Sequence, residues 1–264
     1  MPRRPILSVN PVKHELRAGR VVVGTWLTLG HSQVAEILAI SGFQFIVVDM
    51  EHSVVDLSAL PSLFQAMEVH DVVPLVRVGE NHRALIKRVM DAGAYGVIVP
   101  MVNTAADARA AVEAVRYPPR GKRGVGLARA QGFGTTFDEY VRNVSDEALV
   151  VVQIEHEKAV ENLEEILGVE GVDAFIVGPY DLSASMGVPG DLARPEVQRA
   201  LERIREVGRR MGVPAGFHVV EPEPAKVLEL ARQGYQFLAF SVDMLFLGRS
   251  AASGLEEIRK GLPS

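Results

Sequence analysis

The chain has 264 residues, 48% of them hydrophobic, which suffices for one large buried core. Its net charge of −5 and isoelectric point near 5.8 argue against a surface that binds nucleic acid. The absence of cysteine excludes disulfides, thiolate nucleophiles and thiolate metal ligands. Because we find neither a secretory signal nor an apolar run of membrane-spanning length, we predict a cytoplasmic protein without a membrane partner.

Eight short apolar segments, rich in β-branched residues, recur along the chain. Their hydrophobicity is nearly continuous rather than alternating, which is typical of parallel strands covered on both faces. The predicted strands span residues 21–29, 43–51, 72–78, 95–102, 149–155, 173–181, 213–219 and 235–243.

Amphipathic segments lie between these strands, and several end in the glycine that commonly caps a helix. Eight strand–helix units in this length predict a closed (β/α)8 TIM barrel that forms a single domain over residues 1–264. An extra C-terminal helix is predicted over residues 252–260. Residues 117–148 are too long for a simple connection, and we interpret them as a lid or an interface in preference to a phosphate-binding loop.

Polar side chains end several of these otherwise apolar strands. In a barrel of this kind the carboxyl ends of the strands meet at the active site. The residues in question are Trp26, Thr28, Asp49, Glu51, His52, Arg77, Gln153, Glu155, Tyr180, Asp181 and His218.

Glu155 and Asp181 are predicted at the ends of neighbouring strands. Two carboxylates in such positions suit a hard divalent cation such as Mg²⁺ or Mn²⁺. Gln153 precedes Glu155 by two residues, so both side chains point to the same face of the strand. Ion pairs between these carboxylates and nearby arginines are an equally weighted alternative at this point.

His52 follows a buried segment and comes directly after the acidic residues Asp49 and Glu51. A histidine oriented by a carboxylate can act as a general base near neutral pH, although a solvated histidine without a role is the alternative. Arg77 is the one arginine or lysine in the strand-end set. Its guanidinium can bind a carboxylate or a developing enolate oxygen, or form a structural salt bridge.

None of the six lysines falls within a predicted strand, where a barrel aldolase that forms an imine needs one. An aldolase built from this sequence therefore requires a metal to accept the electrons of the broken bond. The lysines are Lys13, Lys87, Lys122, Lys158, Lys226 and Lys260.

Taken together, the motifs resemble the HpcH/HpaI aldolase family, the metal-dependent class II pyruvate aldolases. The resemblance extends over nearly the whole chain, and GPYDLSASMG with an upstream Gln-x-Glu is its most specific part. The segments that carry it are GTWLTLG (24–30), VVDMEH (47–52), PLVRV (74–78), IKRVMDAGAYGVIVPMV (86–102), RYPPRGKRGVG (116–126), VVQIEH (151–156) and GPYDLSASMG (178–187).

The resemblance implies the components of a pyruvate site. A divalent metal (Mg²⁺, Mn²⁺ or Co²⁺) would be held by Glu155 and Asp181, and Gln153 would bind the keto acid. The substrate would also contact Trp26 and the segment from Gly178 through Pro179 and Tyr180 to Asp181.

The resemblance also implies a set of catalytic residues. His52 would accept the proton, and Arg77 would stabilise the enolate, with Asp49 beside them. Asp91 would raise the basicity of His52 from a neighbouring subunit. Members of the family are typically hexamers, described as dimers of trimers, which exchange the C-terminal helix.

The function expected from this resemblance is a carbon–carbon lyase. It would reversibly cleave a 4-hydroxy-2-oxo acid of the 2-keto-3-deoxy-sugar-acid type to pyruvate and an aldehyde, through the enolate of pyruvate on the metal. Tyr180, Ser53 and the segment at 131–134 depart from many relatives and border the expected aldehyde pocket. Alternatives are a CoA-ester lyase of the citrate lyase β-subunit type, an oxaloacetate decarboxylase, or a binding and scaffold barrel without catalysis.

Overall fold

The computed structural model describes residues 9–262 and contains eight parallel strands that close into a barrel in chain order. Each strand pairs with its two neighbours, and the eighth returns to pair with the first. This confirms the predicted (β/α)8 TIM barrel. The strands are β1 (Val22–Leu27), β2 (Phe45–Asp49), β3 (Val73–Arg77), β4 (Gly96–Val99), β5 (Leu149–Ile154), β6 (Ala174–Val177), β7 (Ala215–Val219) and β8 (Phe237–Val242).

Helices cover the outside of the barrel, and among residues 9–262 none is both long and apolar enough to cross a membrane. The extent of one domain over residues 1–264 stays a prediction, because residues 1–8 and 263–264 lie outside the described part. The helices are α1 (Pro11–Arg17), α2 (Ser32–Ile40), α3 (Leu60–Glu68), α4 (Arg83–Ala92), α5 (Ala105–Val115), α6 (Phe137–Glu147), α7 (Glu157–Glu161), α8 (Leu163–Leu167), α9 (Pro179–Ser185), α10 (Pro195–Met211), α11 (Pro224–Arg232) and α12 (Asp243–Gly261).

Two buried layers follow from the alternation of side chains along each strand. One set of residues points outward and packs under the helices, and the other fills the barrel. Inside the barrel, the Phe45 and Phe237 rings stack with their centroids 4.4 Å apart. Gly24 makes room for this stack, because a Cβ there would lie 2.4 Å from the Phe45 ring.

The sixth strand is shorter than predicted, and this moves two candidate site residues. β6 ends at Val177, so Tyr180 and Asp181 lie in the first turn of α9 rather than at a strand end. Pro179 explains the difference, because its fixed φ and missing N–H suit the first position of a helix and not a central strand.

Residues 117–148 lie away from the carboxyl ends of the strands in their own barrel, which contradicts a lid there, whereas the interface interpretation stays a prediction. They include a 3₁₀ turn (Gly132–Gly134) and α6, and they lead from the end of α5 to the start of β5. Arg129 pairs with Glu68 and donates to the carbonyl of Ala92, at the ends of α3 and α4. None of residues 117–148 lines the cavity at the carboxyl ends of the strands. The segment is an outer-wall element at the opposite end of the barrel.

Candidate active site

A cavity of about 350 Å³ opens at the carboxyl ends of the barrel strands. Thr28, Asp49, Arg77 and Gln153 each lie two residues beyond an interior core residue, so the strand alternation aims these side chains into the cavity. It contains the predicted substrate residues and His52, Arg77 and Asp49 together. The lining residues are Trp26, Thr28, Asp49, His52, Arg77, Gln153, Ile176, Val177, Gly178, Pro179, Tyr180, Asp181, His218, Val220, Val242 and Met244.

Asp49 and Arg77 form a two-point ion pair across neighbouring strands, where their Cα atoms are in register. Arg77 donates from Nε to Oδ1 at 2.9 Å and from Nη2 to Oδ2 at 2.6 Å. Burial acts to raise the pKa of Asp49, but the hydrogen bonds and charge of Arg77 outweigh it and hold this pKa below its usual value. The guanidinium also lies 4.3 Å from the centroid of the Trp26 ring. Arg77 is therefore held in one orientation, with its charge facing the cavity.

Glu51 is a functional candidate that the strand pattern named without assigning it a role. Its Oε2 lies 3.2 Å from Nη1 of Arg77, yet this buried oxygen has no hydrogen-bond partner among residues 9–262. Burial raises the pKa of Glu51 to about 7, and the charges of Glu155, Asp49 and Asp181 add to this effect while Arg77 opposes it. The cavity floor therefore carries more carboxylates than a single guanidinium can neutralise.

Glu155 lies behind the cavity wall with only 3% of its surface exposed. The backbone N–H of Met101 donates to its Oε1 at 2.7 Å, and Gln153 Nε2 donates to its Oε2. Met101 has a left-handed backbone (φ 53°), a strained conformation that aims this N–H at the carboxylate. Gly178 completes the cradle, because a Cβ there would lie 2.9 Å from Oε2 of Glu155.

His52 projects from the loop after β2 and has an exposed side chain that lines the cavity. Its Nε2 is 3.9 Å from Oε2 of Glu51, while its backbone N–H donates to Oδ1 of Asp49 at 3.3 Å. Glu51, rather than Asp49, is thus the carboxylate near its ring. An accessible imidazole at this position can exchange protons with a substrate in the cavity.

His218 and Trp26 form another part of the cavity wall. Their rings stack with centroids 4.9 Å apart and planes 19° apart, and His218 Nε2 lies 3.0 Å from the carbonyl oxygen of Ser241. Burial lowers the pKa of His218 to about 4, with a further contribution from Arg77. The sequence pattern places His218 at a strand end without assigning it a role, because a strand-end histidine carries no sign of its partners.

Asp91 does not reach this cavity within its own chain. It lies on α4, where its Oδ1 accepts from Arg123 Nη2 at 2.6 Å and from Gln131 Nε2 at 3.3 Å. Arg123 is fully buried and also donates to the hydroxyl of Tyr140 at 2.9 Å. The expected action of Asp91 on His52 of a neighbouring subunit stays a prediction.

The residues of the cavity fit a divalent cation that is completed by substrate or water oxygens. Within residues 9–262, no group of three or more His, Cys, Asp or Glu side chains is arranged to hold a metal by protein ligands alone. Mg²⁺ typically takes one or two carboxylates and fills its remaining positions with water or substrate. Glu155 and Asp181 offer that number of oxygen-donor groups, and the unpartnered oxygen of Glu51 leaves negative charge beside them.

Lysine is absent from the described residues that line the cavity. A buried lysine does exist, because Lys13 is only 1% exposed, but it lies at the other end of the barrel. There it donates to the carbonyl of Ala148 at 2.6 Å and pairs with Asp173 at 2.8 Å. Burial, only partly offset by Asp173, lowers the pKa of Lys13. Lys13 therefore contributes to the amino-terminal end of the barrel and not to the cavity.

Comparison with known proteins decides the family. A sequence model described as HpcH/HpaI aldolase/citrate lyase matches residues 22–248, which is most of the chain. The chain belongs to this family. As the sequence predicted, it is therefore an enzyme of the carbon–carbon lyase class.

Individual relatives agree over nearly the full length. The chain is 40% identical over 258 residues to the 2-keto-3-deoxy-L-rhamnonate aldolase of Escherichia coli (strain K12 / DH10B), covering 97% of this chain and 95% of that relative. An HpcH/HpaI aldolase/citrate lyase family protein from Burkholderia cenocepacia J2315 superposes with a TM-score of 0.90 at 34% identity, covering 95% and 100% of the two chains. The HpcH/HpaI aldolase from Desulfitobacterium hafniense DCB-2 gives a TM-score of 0.87 at 35% identity, covering 96% and 97%.

Proposed function

We propose that this protein is a divalent-metal-dependent aldolase. It reversibly cleaves a 4-hydroxy-2-oxo acid, of the 2-keto-3-deoxy-sugar-acid type, to pyruvate and an aldehyde. The observation that carries the proposal is the excess of carboxylates over cations at the cavity. The family, whose model is described as aldolase/citrate lyase, supports it. The relative named for 2-keto-3-deoxy-L-rhamnonate supports the substrate class, and about 350 Å³ suits a small acid of this kind.

Glu155 and Asp181 are the proposed metal ligands, with Mg²⁺, Mn²⁺ or Co²⁺ as the metal. When bound, the cation acts as a Lewis acid that polarises the 2-oxo group and stabilises negative charge on its oxygen. The family is of the metal-dependent type, which supports a metal here. Gln153 and Met101 then hold the Glu155 side chain in a fixed position by their hydrogen bonds.

The pyruvate part of the substrate is proposed to lie between Gln153 and the start of α9. The segment from Gly178 through Tyr180 to Asp181 forms this end of the cavity, and the backbone N–H groups of Tyr180 and Asp181, in the first turn of α9, would bind the substrate carboxylate. Trp26 closes the opposite wall. In this arrangement the bond to be broken lies between the two walls.

His52 is proposed to move the protons of the reaction. In cleavage it takes the proton of the C4 hydroxyl, the C3–C4 bond breaks, and the electron pair passes into the 2-oxo group as an enolate. The aldehyde leaves, and the same imidazole returns a proton to C3 to give the methyl group of pyruvate. Arg77 offsets the charge of the enolate oxygen, while Asp49 fixes the guanidinium through their two hydrogen bonds.

Metal removal and replacement test this proposal. Enzyme treated with EDTA should lose cleavage and pyruvate-condensation activity, and Mg²⁺, Mn²⁺ or Co²⁺ should each restore it, with Ca²⁺ as the control for charge alone. A panel of aldehydes incubated with pyruvate and metal, read by product chirality, identifies the acceptor. Turnover that resists EDTA and is trapped by borohydride would overturn the metal-dependent assignment, because it would demonstrate an imine on a lysine.

A hexamer, arranged as a dimer of trimers with exchanged α12 helices, is the proposed assembly. α12 has many exposed apolar side chains, such as Leu247, Leu255 and Ile258, which soluble monomers seldom carry together on one helix. Light scattering measures the mass directly, and a particle of about one chain would contradict the assembly. The cytoplasmic location likewise stays a prediction.

A further inference from the structure

The cavity has two chemically different sides. Gln153, Gly178 and Asp181 form the side that carries the proposed metal and pyruvate positions. The other side is formed by His218 together with apolar neighbours such as Val220 and Met244. His218 lies on β7, where the preceding residue, Phe217, pairs with Val177 of β6. It is two strands away from the end of β5, where Glu155 lies, or about 10 Å across the sheet.

The orientation of the His218 ring is fixed by a hydrogen bond and by a ring stack. Nε2 lies 3.0 Å from the carbonyl oxygen of Ser241, and because a carbonyl only accepts, Nε2 carries the hydrogen and donates it. Ser241 has a left-handed backbone (φ 55°), and its hydroxyl donates to the carbonyl of Val220 at 2.9 Å, which anchors this strained turn. Stacking on Trp26 holds the ring plane.

These contacts leave the other ring nitrogen bare. With its pKa lowered to about 4, His218 is neutral at physiological pH, so Nδ1 has a lone pair and no hydrogen. Within residues 9–262, Nδ1 has no hydrogen-bond partner, and it is not among the fully buried atoms that lack one. Since His218 lines the cavity, this acceptor is open to a bound molecule.

The remaining surface on this side offers little to a charged group. Val220, Val242 and Met244 are apolar, and Arg77 is the one Lys or Arg among the described residues that line the cavity. Both Asp49 and Glu51 already pair with that guanidinium. A carboxylate on the aldehyde would thus lose its hydration without gaining a partner.

We propose that Nδ1 of His218 accepts a hydrogen bond from a hydroxyl of the aldehyde portion, and so selects uncharged hydroxyaldehydes. The proposal rests on the aldolase function proposed above and adds a specificity determinant to it. A site built to bind a hydroxyl discriminates against an analogue that lacks it, because the acceptor is then left unpaired.

A matched pair of aldehydes tests this. Glycolaldehyde and propanal have the same number of heavy atoms, and one carries a hydroxyl where the other carries a methyl group. The measured quantity is the ratio of kcat/KM for the two aldehydes in condensation with pyruvate. The ratio for each variant, divided by that for the wild type, cancels the intrinsic reactivity of the aldehydes and any general loss of activity.

Two variants separate the two ring nitrogens. His218→Gln places an amide nitrogen near the position of Nε2, keeps a donor for Ser241 and lacks the Nδ1 acceptor, so the ratio should fall about tenfold. His218→Asn places an amide oxygen near the position of Nδ1, and its ratio should stay within about threefold of the wild type. Should the glutamine variant fail to fold, His218→Phe keeps the stack on Trp26 and should show the same loss.

The outcomes distinguish this proposal from the function on which it rests. A wild-type enzyme that condenses pyruvate with neither aldehyde in the presence of metal overturns the proposed aldolase function itself. A wild type that uses both without preference overturns only the role of His218. An unchanged ratio in His218→Gln, or an equal loss in the glutamine and asparagine variants, also overturns the acceptor role.

Discussion

Both ends of the barrel contain buried charged side chains, but the two ends differ in how completely these charges are paired. At the amino-terminal end, Lys13 pairs with Asp173 and donates to the carbonyl of Ala148. Asp173 in turn accepts from the backbone N–H of Val150 at 3.0 Å and lies within 3.7 Å of Arg116. Among the described residues, the buried charges of Lys13, Asp173 and Arg116 each have an opposite charge within 3.7 Å.

The carboxyl end has the reverse balance. Asp49, Glu51, Glu155 and Asp181 lie near one another, and Arg77 is the guanidinium that pairs with two of them. Buried charges that serve stability alone are paired, because an unpaired one costs several kcal/mol. The comparison teaches that paired charges at the first end stabilise the fold, whereas the unbalanced carboxylates at the second are the feature on which the proposed cation site rests.

The largest expected effect comes from removing a proposed metal ligand. Glu155→Gln should weaken binding of Mn²⁺ and lower kcat/KM by at least about 100-fold, because an uncharged amide is a poor ligand for a hard cation. Calorimetric titration with Mn²⁺ and the condensation assay measure these quantities.

Glu206→Gln, on the exposed face of α10, is the control for loss of one carboxylate. It should bind Mn²⁺ and turn over substrate as the wild type does. Normal Mn²⁺ affinity in Glu155→Gln would remove this residue from the proposed metal site.

The next effect concerns stability at the amino-terminal end. Lys13→Met leaves Asp173 without its closest cation in a buried position, and the free energy of unfolding should fall by about 3 kcal/mol. Chemical denaturation measures this change, and the metal affinity of the folded protein should be unaffected.

Lys122→Met provides the matched control, because it breaks an exposed ion pair with Glu113 at 2.7 Å. Surface pairs of this kind contribute less than about 1 kcal/mol. Equal losses of unfolding free energy in the two lysine variants would mean that burial does not increase the contribution of the Lys13 pair to stability.

The smallest effect concerns the crowding of carboxylates in the metal-free protein. The pKa of Glu51 is raised to about 7 in the folded state, so the folded state holds a proton that the unfolded state has released. The stability that this proton supports is complete below pH 4.5 and is lost as pH rises through 7. Glu51→Gln should remove the loss and raise the free energy of unfolding at pH 8 by about 1 kcal/mol, since the group is partly exposed.

Denaturation with EDTA present at pH 4.5 and at pH 8 measures this difference, with Glu170→Gln on the surface as the control. The variant should match the wild type at the lower pH and exceed it at the higher one. A variant that is less stable than the wild type at pH 8 would show that the contact of Glu51 with Arg77 stabilises the folded state by more than the burial of the Glu51 charge destabilises it.

Several features of the fold could be predicted from local sequence. The eight strands were found because both faces of each strand are buried, which makes each a nearly continuous apolar run. The period of two along a strand then placed Gln153 and Glu155 on one face. Elements that begin beyond a strand end are predicted less well: the first three residues of α9, 179–181, are assigned to the strand because they follow an apolar segment directly.

The helix α6 and the start of α12 are not marked by the sequence pattern. α6 buries only Tyr140 and Val144 and follows a segment rich in glycine and charged residues, so it is grouped with that segment as one long connection. α12 begins at Asp243 rather than at residue 252, because its first residues follow β8 without a turn or a typical capping residue. A pattern that depends on buried faces cannot mark the start of a helix whose apolar side chains, such as Leu247 and Leu255, are exposed.

By itself, the sequence determined the barrel and the set of polar residues that meet at its carboxyl end, because both depend on periodicity within a few residues. Only the tertiary structure decided how those charges are paired. Closure of the barrel brings Lys13 to Asp173, 160 residues away, and leaves Glu51 between Arg77 and three other carboxylates. It also sets the hydrogen on Nε2 of His218 through Ser241, 23 residues along the chain. Pairing depends on distance in space, which local patterns do not encode.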